Sequence, residues 1–244
     1  MFTIGRRVYG LGAVVLGVAQ MRFGAVSADW LPVPARSPGD PILVYGSALV
    51  LVLGGVAINL RRLAAIAALT LAGLFVSGMV VFLLPHSLTK PASWGGWQGV
   101  AESTAMALGG VLGYGQAAAL RHMRAVRLGF GMCLLVFGIS HFVYARFTAS
   151  LVPAWLPPSR LSWAYATGVA QIAAGLAMLS GVQARLAAIL LTVMYAGFGL
   201  LVHLPSIIAN PSSQDDWTEN GINLILLGAA WGLADSLARR KSPS

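Results

Sequence analysis

The sequence predicts an all-α, polytopic membrane protein with eight transmembrane helices arranged as two parallel four-helix repeats. Three observations carry that expectation. The 244 residues are 57% hydrophobic and only 9% charged, whereas a soluble domain carries about 25% charged residues. Apolar runs of about 20 residues, the length that crosses a hydrocarbon core, recur along the whole chain. The second half also repeats the first at a shift near 120 residues.

The candidate spans run 6–25, 41–60, 63–84, 98–119, 126–147, 161–180, 184–204 and 217–237. The first follows Arg6 and Arg7, and Ala25-Val26-Ser27-Ala28 after it looks like a signal-peptidase site. A cleaved leader would have no counterpart later in the chain, and this segment has one. It is therefore expected to be retained as a span. Leu16-Gly17-Val18-Ala19-Gln20-Met21 lines up with Phe137-Gly138-Ile139-Ser140-His141-Phe142, and Trp30-Leu31-Pro32 with Trp155-Leu156-Pro157. Gly46 pairs with Gly168, Arg62-Leu63-Ala64-Ala65-Ile66 with Arg185-Leu186-Ala187-Ala188-Ile189, and Trp97 with Trp217. The expected units are residues 1–120 and 121–244. An even number of spans per unit gives both the same orientation, related by an axis along the membrane normal. Gly10, Gly12, Gly17, Gly54, Gly55, Gly109 and Gly110 are suited to close helix contact.

Charge sets the expected topology. Net charge is +9, but the cations sit in short clusters between apolar runs. This is the pattern of topology signals, and it argues against nucleic acid as a partner. Eleven cations (Arg6, Arg7, Arg61, Arg62, Arg121, Arg124, Arg127, Arg185, Arg239, Arg240 and Lys241) fall on one side. Five (Arg22, Arg36, Lys90, Arg146 and Arg160) fall on the other. That bias places both termini in the cytoplasm. Asp29, Asp40, Asp215, Asp216 and Glu219 gather on the opposite face with most loop tryptophans. Cys133 is the only cysteine, which excludes an intramolecular disulfide and CxxC redox chemistry. Its plain reading is helix packing.

Polar residues inside a span need a partner or a role. His141 and His203 fall near the outer ends of the fifth and seventh spans, Gln171 early in the sixth, and Trp217 at the start of the eighth. Together they predict a mostly apolar pocket open to the outer side, with a few convergent polar groups. A neutral histidine there would donate to a quinone carbonyl. Histidines at one level also suit heme or a metal ion, but no HxH or HExxH spacing supports it, and no metal site is expected. The bland alternative is that these histidines close interhelical hydrogen bonds or meet headgroups. His86 and His203 flank Pro85 and Pro205 at what read as helix ends, and His122 lies in a basic loop. Glu102 sits about one turn inside the fourth span. It is either a proton-handling or substrate-orienting group or an acid favoured by the helix dipole. Asp216 followed by Glu219 reads as an N-cap with a capping box.

Gly138, His141, Phe142, the Pro153–Pro157 hairpin, Thr167-Gly168, Gly175, Arg185 and the helix start at Trp217 together resemble the DoxX-like family of small bacterial membrane proteins. The resemblance covers the chain once per half and is better in the second. Where that family usually has an acidic residue this chain has Gln171, and the first half has Gln20 in place of the histidine. The resemblance implies a bacterial cytoplasmic-membrane protein. It also implies a redox setting, as a quinone-associated subunit or as the partner of a membrane or peripheral oxidoreductase. The alternatives are a small-molecule-binding or transport-like protein, and a non-catalytic scaffold. Whether the chain is itself an enzyme is left open.

Overall fold

A computed structural model describes residues 4–27, 30–32, 40–114 and 123–239. Arg36, Arg121, His122, Arg240, Lys241 and the end of the expected span 98–119 lie outside the described residues. All the described secondary structure is helical. It comprises α1 (Ile4–Phe23), α2 (Asp40–Ala57), α3 (Ala64–Gly78), α4 (Leu84–Thr89), α5 (Trp94–Tyr114), α6 (Met123–Val143), α7 (Ala145–Leu151), α8 (Arg160–Ser180), α9 (Ala184–Phe198), α10 (Leu204–Ala209) and α11 (Gln214–Arg239). Two π-helical turns, Met79–Leu83 and Gly199–His203, join α3 to α4 and α9 to α10. Four helical stretches are long and apolar enough to cross a membrane: Ala64–Thr89, Met123–Val143, Ala184–Ala209 and Gln214–Ala238. The outward-facing side chains suit lipid. Ile42, Ile66, Val193 and Ile208 are all exposed, an arrangement water would penalise.

The helices pack in a closed ring. α1 meets α2, α2 meets α3, α3 meets α5, and α5 meets α6; α6 meets α8, α8 meets α9, α9 meets α11, and α11 returns to α1. α5 and α11 also touch across the middle. Tyr9, Phe130, Leu16, Met106, Leu134 and Ile225 are fully buried.

The contact between the first and last helices is the most intimate. A Cβ on Gly5 would lie 2.8 Å from Gly232 N, and one on Gly12 would lie 2.6 Å from Ile225 N. A Cβ on Gly228 would collide with Tyr9 N and Gly5 O. Lipid gives no hydrophobic drive between helices, so such close backbone approach and its dispersion contacts hold them together. Tyr9 adds a hydrogen bond from its hydroxyl to Met106 O on α5, 2.8 Å long.

Several boundaries differ from the sequence reading, for identifiable reasons. Pro85 and Pro205 do not end their helices. Each sits just after a π-helical turn, where Leu84 N and Leu204 N bond back to Met79 O and Gly199 O. Widening the turn in this way accommodates a residue that lacks an N–H and crowds the preceding turn. α5 and α11 begin three residues before Trp97 and Trp217. The N-cap of α11 is consequently Ser213, whose Oγ accepts from Asp216 N at 3.2 Å; Asp216 occupies the third helical position instead. Gly46 has open space around it, and the residue packed where Gly168 would pair is Ala48. A Cβ on Gly17 would lie 2.7 Å from Ala48 O, as one on Gly138 would lie 2.8 Å from Gly168 O.

Candidate functional site

α6 and α8 cross through small residues, Gly131 and Gly138 against Gly175 and Gly168. That close approach brings His141 on α6 beside Thr167 and Gln171 on α8. His141 Nδ1 lies 3.2 Å from Ala164 O and 2.9 Å from Thr167 Oγ1. The Thr167 hydroxyl spends its hydrogen on Trp163 O at 2.8 Å. Because a carbonyl only accepts, Nδ1 must carry the proton, and it donates to Ala164 O and Thr167 Oγ1. Nε2 is then an acceptor, and the Gln171 amide nitrogen donates to it at 3.4 Å. The hydrogen-bond network thus assigns both the tautomer and the amide orientation. Gln171 Oε1 is left buried with no partner, although the side chain is only 3% exposed. An orphan acceptor in a low-dielectric core costs about 1–3 kcal/mol. The ring of Phe198 stacks on His141 at 6.4 Å, and Tyr195 meets Phe198 edge-on at 6.1 Å.

The other expected site residues stand elsewhere. Among the described residues, no hydrogen bond or ring contact joins His203 or Trp217 to His141 and Gln171. His203 lies within electrostatic range of Asp216, whose carboxylate accepts from Ser206 Oγ at 2.6 Å. Trp217 donates to Pro211 O at 3.1 Å and carries the Arg22 guanidinium 5.9 Å from its ring. Trp97 and Trp163 make the same bond to Pro91 and Pro157, six residues back, so this is a recurring helix-start device. Glu102 is the ninth residue of α5, about 12 Å along the axis. It lies beyond the first turn, where the helix dipole acts. It is in electrostatic range of Glu219 on α11 and Tyr195 on α9. The described residues contain no group of three or more His, Cys, Asp or Glu arranged to hold a metal ion.

Thr167, Tyr195 and Phe198 were not singled out as site residues by sequence. Tyr195 is 3% exposed, and its hydroxyl has no partner. Its signal was present: a phenol in the middle of an apolar run, three residues before Phe198 and so on the same face. The first half holds a reduced version of the arrangement. Gln20 Nε2 donates to Ser47 Oγ at 3.2 Å, Leu51 is buried, and Trp30, 3% exposed, packs edge-on against Phe75. Leu31 packs over Gly78, where an added Cβ would lie 3.3 Å from its methyl carbons. In the second half, Trp155 is 70% exposed.

The class these features define is a helical membrane protein with a buried, incompletely satisfied polar cluster in its second half. A family model described as a domain of unknown function (DUF8561) matches residues 130–220, a stretch that contains His141, Thr167, Gln171, Tyr195, His203 and Trp217. No curated protein and no solved structure matches the chain.

Proposed function

We propose that the chain is an eight-span protein of the bacterial cytoplasmic membrane, built from two DoxX-like repeats with both termini in the cytoplasm. In this reading its second repeat holds a quinone-type small molecule in its reduced, hydroxyl-bearing form, in the service of a membrane oxidoreductase. Support for the repeats comes from matched details 120 residues apart: the π-helical turns that start at Met79 and Gly199, the helices that start at Ala64 and Ala184, and the Trp–Pro bonds of Trp97 and Trp217. Gln20–Ser47 and His141–Thr167 correspond in the same way.

The ligand reading rests on one observation, the orphan Gln171 Oε1. Because His141 has committed its N–H to Ala164 O, the atom left over is an acceptor, and it calls for a hydroxyl donor rather than a carbonyl. A hydroquinone supplies that hydroxyl together with a flat ring, which suits the neighbouring Phe198 and Tyr195 rings. In the first repeat the corresponding region is occupied by the chain's own Trp30. Glu102, within electrostatic range of Tyr195, is the acid–base group such a ligand would use when it gains or loses protons.

The test is organic extraction of protein purified in mild detergent, with chromatography of the extract for quinones. Co-purifying quinone that is lost in Gln171→Leu, with the protein still monodisperse, supports the reading. Absence of quinone, or equal retention in the variant, returns the chain to the scaffold alternative.

A further inference from the structure

A second candidate site, sharing no lining residue with the His141 cluster, lies on the surface of the second half. Between α7, the loop after it, the start of α8 and the segment from Leu200 to Ala209 runs a groove of about 470 Å³. Its walls are apolar, with Leu151, Val152 and Trp155 on one side and Leu201 and Pro205 on the other. Arg160 is the only charged residue in its lining. The Arg160 side chain is exposed, and it makes no ion pair or hydrogen bond among the described residues. Across the groove, the Ser206 hydroxyl donates to the Asp216 carboxylate at 2.6 Å, while Arg160 has no such partner among the described residues.

Two features say what kind of molecule the groove takes. The first is charge. An unpaired guanidinium at the mouth of an apolar trough complements a molecule that is anionic at one end and aliphatic along its length. The Trp155 and Trp163 side chains nearby mark the headgroup level at which such a molecule would sit. The second is the contrast with Trp30 and Leu31, the residues aligned with Trp155 and Leu156. They fold inward against Phe75 and Gly78 and fill their own half, whereas Trp155 stays out.

We propose that this groove is a specific seat for an anionic phospholipid, with its phosphate on Arg160 and an acyl chain along Leu201 and Val202. The site is independent of the quinone reading and requires only that the chain is embedded in a bilayer.

Native mass spectrometry of the full chain in detergent tests it, with phosphatidylglycerol and phosphatidylcholine titrated separately. The expected result is preferential binding of phosphatidylglycerol. Arg160→Gln should weaken that binding about fivefold, the worth of one cation near an anionic interface, and bring it to the level of phosphatidylcholine. Val202→Trp, which fills the groove and keeps the charge, should lower occupancy of both lipids. Unchanged binding in both variants overturns the proposal. So does displacement of phosphatidylglycerol by inorganic phosphate, which would mark an ion site without a lipid seat. A dimer cross-linked through Trp155→Cys in a bilayer would instead assign the groove to a second copy of the chain. Loss of lipid in Arg160→Gln with quinone retained would separate this site from the one at Gln171.

Discussion

The α1–α11 contact makes a prediction whose sign reverses between glycines that look alike in sequence. Replacing Gly228 by Ala would place a Cβ 2.6 Å from Gly5 O, and its other near neighbours, Tyr9 N and Tyr9 Cα, are backbone atoms too. None of these can rotate away. Ordinary contact begins at 3.4 Å, so clearing Gly5 O alone requires α1 to withdraw by at least 3.4 minus 2.6, or about 0.8 Å, and Tyr9 N lies closer still. Overpacking of this kind costs about 1–3 kcal/mol, against a gain of about 1 kcal/mol from exchanging Gly for Ala in a helix. The expected net change is a loss of up to about 2 kcal/mol. At Gly73, Gly197 and Gly232 an added Cβ would meet nothing within 4 Å, and there the same exchange should keep the helix-propensity gain of about 1 kcal/mol. Unfolding titrations with sodium dodecyl sulfate in mixed micelles, read by circular dichroism, compare Gly228→Ala with Gly73→Ala. A shift of the same sign in both would refute the reasoning. Gly12→Ala should destabilise as Gly228→Ala does, and the double variant should cost less than the two singles together, since one separation of the helices relieves both clashes.

Other expectations are more local. Trp30→Ala removes an indole that is 3% exposed and should cost about 3–5 kcal/mol by the same titration, while Trp155→Ala, at a position 70% exposed, should stay within about 0.5 kcal/mol. Equal effects would contradict the inward placement of Trp30 and the outward placement of Trp155. Ser213→Ala removes the cap on Asp216 N and should cost about 1 kcal/mol; no loss would return the cap to Asp216. Reporter fusions after Arg121 and after Ser244 should both report cytoplasm, and a periplasmic signal from either would sink the proposed topology.

Composition and spacing made the helical, lipid-facing character of the chain legible, because runs of apolar residues leave no other solution for the backbone in a bilayer. Helix ends were harder. Trp97 and Trp217 looked like first residues because they are aromatic and follow polar loops, yet each belongs to the second turn and caps the loop by bonding back to a proline carbonyl. Pro85 and Pro205 looked like stops because the remedy, a π-helical turn, leaves no mark in residue type. In the candidate site, His141 and Gln171 were found from sequence because a polar group in a span stands out. Their companion Thr167 bonds back to its own helix and is inconspicuous in sequence, and Tyr195 was hidden among apolar neighbours. His203 and Trp217 were grouped with them by depth alone, and depth does not specify which side of a helix a residue faces.

The glycine seam between the first and last helices has a consequence in time. Gly5 and Gly228 are separated by almost the whole chain, and at about 5–20 residues per second a ribosome takes about 11–45 s to make the intervening stretch. In the proposed eight-span topology, the Gly5 and Gly12 face of α1 waits in the membrane throughout that interval without the α11 surface it packs against. Any other helix with small residues is a competitor during those seconds, including the α11 of a neighbouring copy completed earlier. Overproduction, which crowds such copies together, is the condition under which chains would close onto one another instead of onto themselves.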